Sequence, residues 1–178
     1  MPFMHNIANP LCSSSSGAAA PASVVVFGCG NTLMGDDGFG PAVIEHLLAH
    51  HRFPASVRVE DVGTSIRDLL FDILLAPQKP QKILILDAAQ QPGRMAGELF
   101  ELPVDQIAVE KVNDFSVHHF PSLNLLKELT EGGEVEVRIL TVQIQQIPEE
   151  IQPGLSLAVA AAIPPACEWV LNQVGGMA

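Results

Sequence analysis

The chain alternates short apolar runs with segments whose apolar residues recur at helical spacing. Five runs are typical of strands, because they are continuously apolar or alternate in polarity: 23–28, 56–63, 81–89, 97–103 and 135–144. Other segments place their apolar residues on one helical face: 41–50, 65–75, 120–129 and 154–174. Pro164 and Pro165 predict a kink or a restart within the last of these. Strands that alternate with helices predict an α/β fold with a mostly parallel sheet.

We expect a single domain over residues 23–178 and a flexible tail over residues 1–22. The tail has no Lys or Arg and lacks the sustained apolar region that a signal peptide needs. The chain is 48% hydrophobic and 16% charged, as globular domains are. The apolar stretch LSLAVAAAI is too short to cross a membrane.

The net charge of −11 argues against nucleic acid and anionic membranes as partners. Three scattered cysteines, Cys12, Cys29 and Cys167, include no CxxC pair. They therefore indicate neither a disulfide framework nor a zinc ribbon, and we expect a reducing cytoplasm.

Carboxylates follow three of the predicted strands. The first strand leads into FGCGNTLMGDDGFG, residues 27–40, the second ends near Asp61, and the strand over 81–89 contains Asp87. A later loop, DFSVHHF, carries two adjacent histidines. The carboxyl ends of parallel strands meet at one edge of a sheet, where like charges repel unless a cation or proton compensates. Carboxylates with an imidazole suit a divalent transition metal, so we expect a metal or acidic site.

The glycine-rich turn does not match the dinucleotide fingerprint. G-x-G-x-x-G would need glycine at 28, 30 and 33, but Leu33 occupies the third position and Asp36-Asp37 follows. We therefore expect the glycines to allow close approach of a protein segment or a metal. A nucleotide-binding α/β module is kept as an alternative.

Four stretches in order, GCGNTLMGDDGFGPAVIE, DVGTS, LILDAA and FSVHHF, resemble the nickel–iron hydrogenase maturation endopeptidases over roughly residues 23–172. DFSVHHFPSLNLLKEL and IPEEIQPGLS are most similar to the branch that serves the coenzyme F-420-reducing hydrogenases of methanogens. The resemblance implies a three-layer fold, with a twisted sheet of about five strands and helices on both faces. It also implies a peptidase, of the aspartyl type, that removes a C-terminal extension from the hydrogenase large-subunit precursor after nickel insertion. A non-catalytic, nickel-dependent maturation chaperone would share the same binding features.

The resemblance also implies three groups of site residues. The metal-contacting residues are Asp37, Asp87 and His118. The catalytic acids are Asp37, Asp61 and Asp87. The substrate-binding positions are Gly30, Asn31, Gly63 and Thr64. Nickel is expected to arrive with the substrate, zinc or cadmium are expected to substitute for it in the isolated protein, and a monomer is expected.

Some of these positions keep a second interpretation. His119 competes with His118, because neighbours in an extended loop point to opposite sides; we prefer His118. Asp61 either positions substrate, exchanges protons or only forms a turn. Asn31 either binds substrate or closes the glycine turn.

Other residues are expected to be structural. Asp36 is interpreted as a cap of the helix that begins near Pro41 rather than as a ligand. Cys29 is interpreted as a small packing residue, because a nucleophile needs an exposed thiolate. Phe100 and Trp169 are expected in the core. Asp37 departs from the family, since many members have Glu at this position.

Overall fold

The computed structural model describes residues 22–104 and 123–175. Its strands are β1 Val24–Cys29, β2 Val57–Gly63, β3 Lys82–Ala89, β4 Leu99–Leu102 and β5 Glu136–Gln143. Its helices are a 3-10 turn Gly35–Gly38, α1 Phe39–His50, α2 Ile66–Leu75, α3 Leu123–Glu131, α4 Leu157–Ala160 and α5 Ile163–Gly175. Apart from Ala22, the predicted tail lies outside the described residues.

The five strands form one sheet in the order β2-β1-β3-β5-β4. All neighbouring pairs are parallel except β4 with β5, which is antiparallel. The continuous apolar sequences of β1 and β3 lie at the centre of the sheet, where both faces are covered. The predicted α/β fold with a mostly parallel sheet is therefore confirmed.

Helices cover both faces of the sheet, which produces three layers. On one face, α1, α4 and α5 pack on the side chains of Val24, Val26, Leu84 and Leu86. On the other face, α2 and α3 pack on Val25, Phe27, Ile83 and Ile85. Successive residues of β1 and β3 therefore alternate between the two cores.

The last predicted helix is divided in two. α4 ends at Ala160, and α5 restarts at Ile163 with Pro164 and Pro165 in its first turn, where proline removes no helical hydrogen bond. By length and composition alone, the segment Leu157–Gly175 is the one described helical stretch that meets the criteria for a membrane span, which is weak evidence. One of its faces packs in the core through Val159, Ala166 and Val170.

The two aromatic residues expected in the core differ in their surroundings. Phe100 is buried in the core, as predicted. Trp169 is only partly buried, because its indole nitrogen donates a 3.1 Å hydrogen bond to Glu101. The guanidinium of Arg138 lies 5.2 Å from the centre of the Trp169 ring and also bonds Glu101. Trp169 therefore closes the edge of the core with a polar contact.

Candidate active site

The carboxyl ends of β1, β2 and β3 lie side by side. Gly28 of β1 is level with Asp61 of β2 on one side and with Leu86 of β3 on the other. Asp87 directly follows Leu86, so acids from two neighbouring strands flank the end of β1. The sheet therefore gathers Asp61 and Asp87 at one edge, as predicted from the strand ends.

The glycines of the turn after β1 allow the main chain to pack against itself. A Cβ atom on Gly30 would lie 1.8 Å from the carbonyl oxygen of Asp37, and one on Gly40 would lie 2.3 Å from that of Cys29. Gly30 also has a φ of 130°, which favours glycine. The main chain of the segment that carries Asp37 packs directly against Gly30. The expectation that the glycines allow a protein segment to approach closely is therefore confirmed for this segment. This packing lies within the chain itself and gives no support to the alternative of a nucleotide-binding turn.

Asp37 lies in the 3-10 turn and is only 3% exposed. Its carboxylate accepts a 2.7 Å hydrogen bond from the main-chain nitrogen of Asn31. The side-chain oxygen of Asn31 accepts a 3.0 Å bond from the nitrogen of Leu33. Asn31 therefore closes the glycine turn and orients Asp37; whether it also binds substrate stays a prediction.

Asp61 is exposed, whereas Asp87 is 4% exposed. The Asp61 carboxylate accepts a 2.9 Å bond from the nitrogen of Gly63, and the Gly63 carbonyl accepts a 3.0 Å bond from the nitrogen of Gly30. Asp61 thus forms a turn that joins β2 to the glycine loop. The Asp87 carboxylate accepts a 2.8 Å bond from the nitrogen of Ala88.

Thr64 follows this turn and is exposed. The substrate-binding roles of Gly30, Asn31, Gly63 and Thr64 stay predictions, as do the catalytic roles of the three acids.

The Cys29 thiol lies near the three acids, and its pKa is affected by all of them. Burial raises the pKa of the Cys29 thiol well above its ordinary 9.0. Three negative charges raise this pKa further, in decreasing order Asp87, Asp61 and Asp37. The acids from three separate elements therefore lie within electrostatic reach of one buried sulfur. The thiol stays protonated, which is the opposite of what a nucleophile requires and agrees with a packing role.

Asp36 does not cap α1, contrary to the sequence interpretation. The N-cap of α1 is Gly38, without a side-chain hydrogen bond. Instead, the Asp36 carboxylate, 2% exposed, accepts bonds from the nitrogens of Gln145 and Ser156 at 2.8 and 2.6 Å. The Ser156 hydroxyl adds a third bond at 3.1 Å. Asp36 therefore ties down both ends of the segment 145–156, which we call the strap.

Two clefts that were not predicted lie near the carboxyl ends of the strands. One, of about 130 Å³, lies between the 3-10 turn and the strap and is lined by Asp36. The other, of about 550 Å³, lies at the ends of β3 and β5, and its lining includes Gln90, Gln91, Gln143 and Gln145. Gln145 lines both clefts, so the strap forms a wall between them.

The predicted metal ligands are only partly accounted for. Asp37 and Asp87 reach the same edge of the sheet, whereas His118 and its competitor His119 lie outside the described residues. Within residues 22–104 and 123–175, no three His, Cys, Asp or Glu side chains are grouped to hold a metal. Two carboxylates and an imidazole from the 105–122 segment would make an oxygen and nitrogen donor set that suits a divalent transition metal.

Known proteins resemble this chain over most of its length. Residues 41–173 match the sequence model of the hydrogenase maturation protease family. A protein of Methanocaldococcus jannaschii named as a hydrogenase maturation protease is 32% identical over 155 residues, which cover 85% of this chain and 96% of that protein. The coenzyme F420 hydrogenase subunit delta of Methanothermobacter thermautotrophicus is 29% identical over 161 residues, which cover 86% and 96%.

A solved structure shares the fold. The hydrogenase maturating endopeptidase of Escherichia coli superposes with a TM-score of 0.68 at 27% identity, and the match covers 86% of this chain and 92% of that one. This likeness confirms the α/β architecture expected from the sequence.

Proposed function

Because the chain belongs to the hydrogenase maturation protease family, it is a peptidase, and we propose that it removes the C-terminal extension of a nickel–iron hydrogenase large-subunit precursor after nickel insertion. Maturation proteases act on such precursors. We propose that cleavage follows nickel insertion, because a nickel ion would then neutralise the carboxylates at the edge of the sheet.

The observation that carries the proposal is that the sheet register and the glycine turn bring Asp37, Asp61 and Asp87 to the carboxyl end of β1. Peptide hydrolysis needs an activated water, a polarised carbonyl and a protonated leaving amine. Carboxylates at the open end of a sheet can supply proton transfer and can bind a cation, whereas the protonated thiol among them is a poor base.

Asp37 and Asp87 are assigned a different role from Asp61 because they are buried and Asp61 is exposed. Asp37 and Asp87 are buried and are assigned, with His118, to nickel that the precursor's own cysteines carry. Asp61 is exposed and already held by the Gly63 turn, so it is assigned to proton transfer or to positioning the substrate main chain. Zinc or cadmium would replace nickel in the isolated protein.

We further propose that the precursor belongs to a coenzyme F420-reducing hydrogenase of a methanogen. The relative named as a subunit of such a hydrogenase supports this choice, as do the stretches DFSVHHFPSLNLLKEL and IPEEIQPGLS. A monomer acting in the cytoplasm is proposed, and the two free, buried cysteines Cys29 and Cys167 are compatible with a reducing compartment.

The test compares nickel-loaded and metal-free precursor with the same enzyme, and measures the mass of the large subunit. Only the loaded precursor should be shortened, and free nickel added with the enzyme should not rescue the metal-free one. No shortening of the loaded precursor, with a stable complex formed, would identify a chaperone. Equal cleavage of both would exclude a role for nickel carried by the substrate.

A further inference from the structure

The strap is held in the middle as well as at its ends. The nitrogen of Gly35 donates a 2.9 Å bond to the carbonyl of Gln152, and the nitrogen of Gln152 donates a 2.9 Å bond to that of Leu33. This parallel bridge joins the strap to the same segment that carries Asp36 and Asp37. The strap is therefore preformed beside the acidic edge.

Apolar side chains project from this part of the molecule. Seven large apolar side chains are exposed in the described residues, and three of them are Leu33, Ile151 and Leu157. The bridge pairs Met34 with Gln152, so Leu33 and Ile151 directly precede its two partners, while Leu157 follows Ser156, which bonds Asp36. We call these three residues the apolar patch. Exposed apolar groups near one another on a surface are typical of interaction sites.

The charged residues of the strap itself are of one sign. Residues 144–157 contain no Lys, Arg or His, and Glu149 and Glu150 are exposed directly before Ile151. A surface that is apolar at its centre and acidic beside it complements a partner that is apolar with basic groups at its rim.

We propose that the apolar patch docks the large-subunit precursor, through a precursor surface of that complementary chemistry. The inference rests on the proposed function. The chain runs from Leu33 through Asp36 to Asp37, so a partner on the patch lies next to the acids. Asp36 contributes as a positioning residue, because its bonds to Gln145 and Ser156 hold the strap in its docking position.

The direct test replaces Ile151, which is 72% exposed, with glutamate. The matched control is Leu75→Glu, since Leu75 is 67% exposed and lies on α2, on the opposite face of the sheet from α4. Both variants add one negative charge. Steady-state cleavage of nickel-loaded precursor should show KM raised about tenfold for Ile151→Glu with kcat unchanged, whereas Leu75→Glu should match the wild type.

A second variant tests the positioning role. Asp36→Asn keeps the size of the side chain but replaces one acceptor oxygen with a donor, so it should free at least one end of the strap. Hydrogen exchange should become faster at Gln145 or Ser156, and KM should rise with kcat retained. Faster exchange with an unchanged KM would overturn the docking role of the strap.

The outcomes separate this inference from the proposed function. If wild-type protein shortens the precursor but Ile151→Glu behaves like Leu75→Glu, the docking inference is wrong and the function stands. A fall in kcat with unchanged KM would also overturn it, because the strap would then act on the chemistry. If the wild type shortens no loaded precursor, the proposed function itself fails.

Discussion

The main-chain nitrogen of Asn31 donates a 2.7 Å hydrogen bond to the carboxylate of Asp37, so the turn that leaves β1 orients the acid that follows it. The bond is formed inside one loop and needs no ligand. The acid is therefore oriented before substrate arrives, and preorganisation of this kind reduces the free energy needed to assemble the site.

Asp37→Asn should lower cleavage of nickel-loaded precursor by at least about 100-fold, because an amide ligates a metal weakly and cannot accept a proton. Asp37→Glu should keep much of the activity, since it retains the carboxylate and resembles the glutamate of many family members. The measurement is the initial rate of precursor shortening by mass spectrometry. Asp72→Asn, an exposed acid on α2, is the control and should match the wild type.

Asp87→Asn should abolish processing while leaving the fold nearly intact. The amide oxygen can still accept the bond from the nitrogen of Ala88, so the end of β3 keeps its local structure. Circular dichroism and the melting temperature should remain close to those of the wild type while the large subunit keeps its precursor mass. Normal processing by this variant would remove Asp87 from the site.

His118→Ala should abolish processing and weaken the binding of cadmium or zinc, whereas His119→Ala should retain most of both. In the wild type, binding to the isolated protein should be weak and should fade as pH falls, because the imidazole must be neutral and the carboxylates ionised to ligate. Equilibrium dialysis over a range of pH measures the affinity. The reverse pattern between the two variants would assign the ligand to His119.

The cysteines predict a loss of stability at alkaline pH. The folded protein raises the pKa of the Cys29 thiol well above 9.0 and that of Cys167 to about 11, in both cases mainly by burial. Above pH 9 the unfolded chain releases thiol protons that the folded chain keeps, so the free energy of unfolding should fall as pH rises; below pH 9 it should not change from this cause. Urea unfolding at pH 8 and pH 10 measures the difference.

The same thiols should resist labelling at pH 8. A Cys12→Ser variant leaves only Cys29 and Cys167, and the native protein should react with a disulfide reagent far more slowly than the urea-unfolded chain. Rapid labelling of the native variant would contradict the protonated, buried state. Cys29→Ala should still cleave the precursor, since the thiol is not assigned to the chemistry.

Deletion of residues 1–20 should leave both the melting temperature and the cleavage rate almost unchanged. This segment is rich in Ser, Ala, Gly and Pro and offers little apolar surface to bury. Differential scanning calorimetry of the full and shortened chains makes the comparison. A drop of many degrees would show that the segment docks on the domain.

The sequence predicted what depends on short-range patterns. The apolar runs of β1 and β3 and the helical spacing of α1 and α2 were recognisable because each element carries its own signal over a few residues. The predicted ends of these strands and helices differ from those in the structure by only a few residues. The strand-end positions of Asp61 and Asp87 followed from the parallel sheet, since that topology brings carboxyl ends to one edge.

Features that depend on distant residues were not predictable in the same way. Asp36 was assigned to a nearby helix because its true partners, Gln145 and Ser156, lie 109 and 120 residues further along the chain. Trp169 was assigned to the core, yet it is only partly buried, because its contact with Glu101, 68 residues earlier in the chain, keeps it at the edge. The glutamine-lined cleft also had no local signal, because its residues come from two stretches far apart in the chain, a loop after β3 and the end of β5 with the residues that follow it.

Because Asp36 bonds both ends of the strap, residues within the strap can be exchanged without releasing its ends. Gln145 and Ser156 are fixed relative to β5 and α4, so residues inserted or exchanged between 146 and 151 need not move either element. Loops whose ends are held together tolerate changes of length well. On the docking inference made above, transplanting this interval between relatives should change which precursor is bound while the acids at the sheet edge stay as they are.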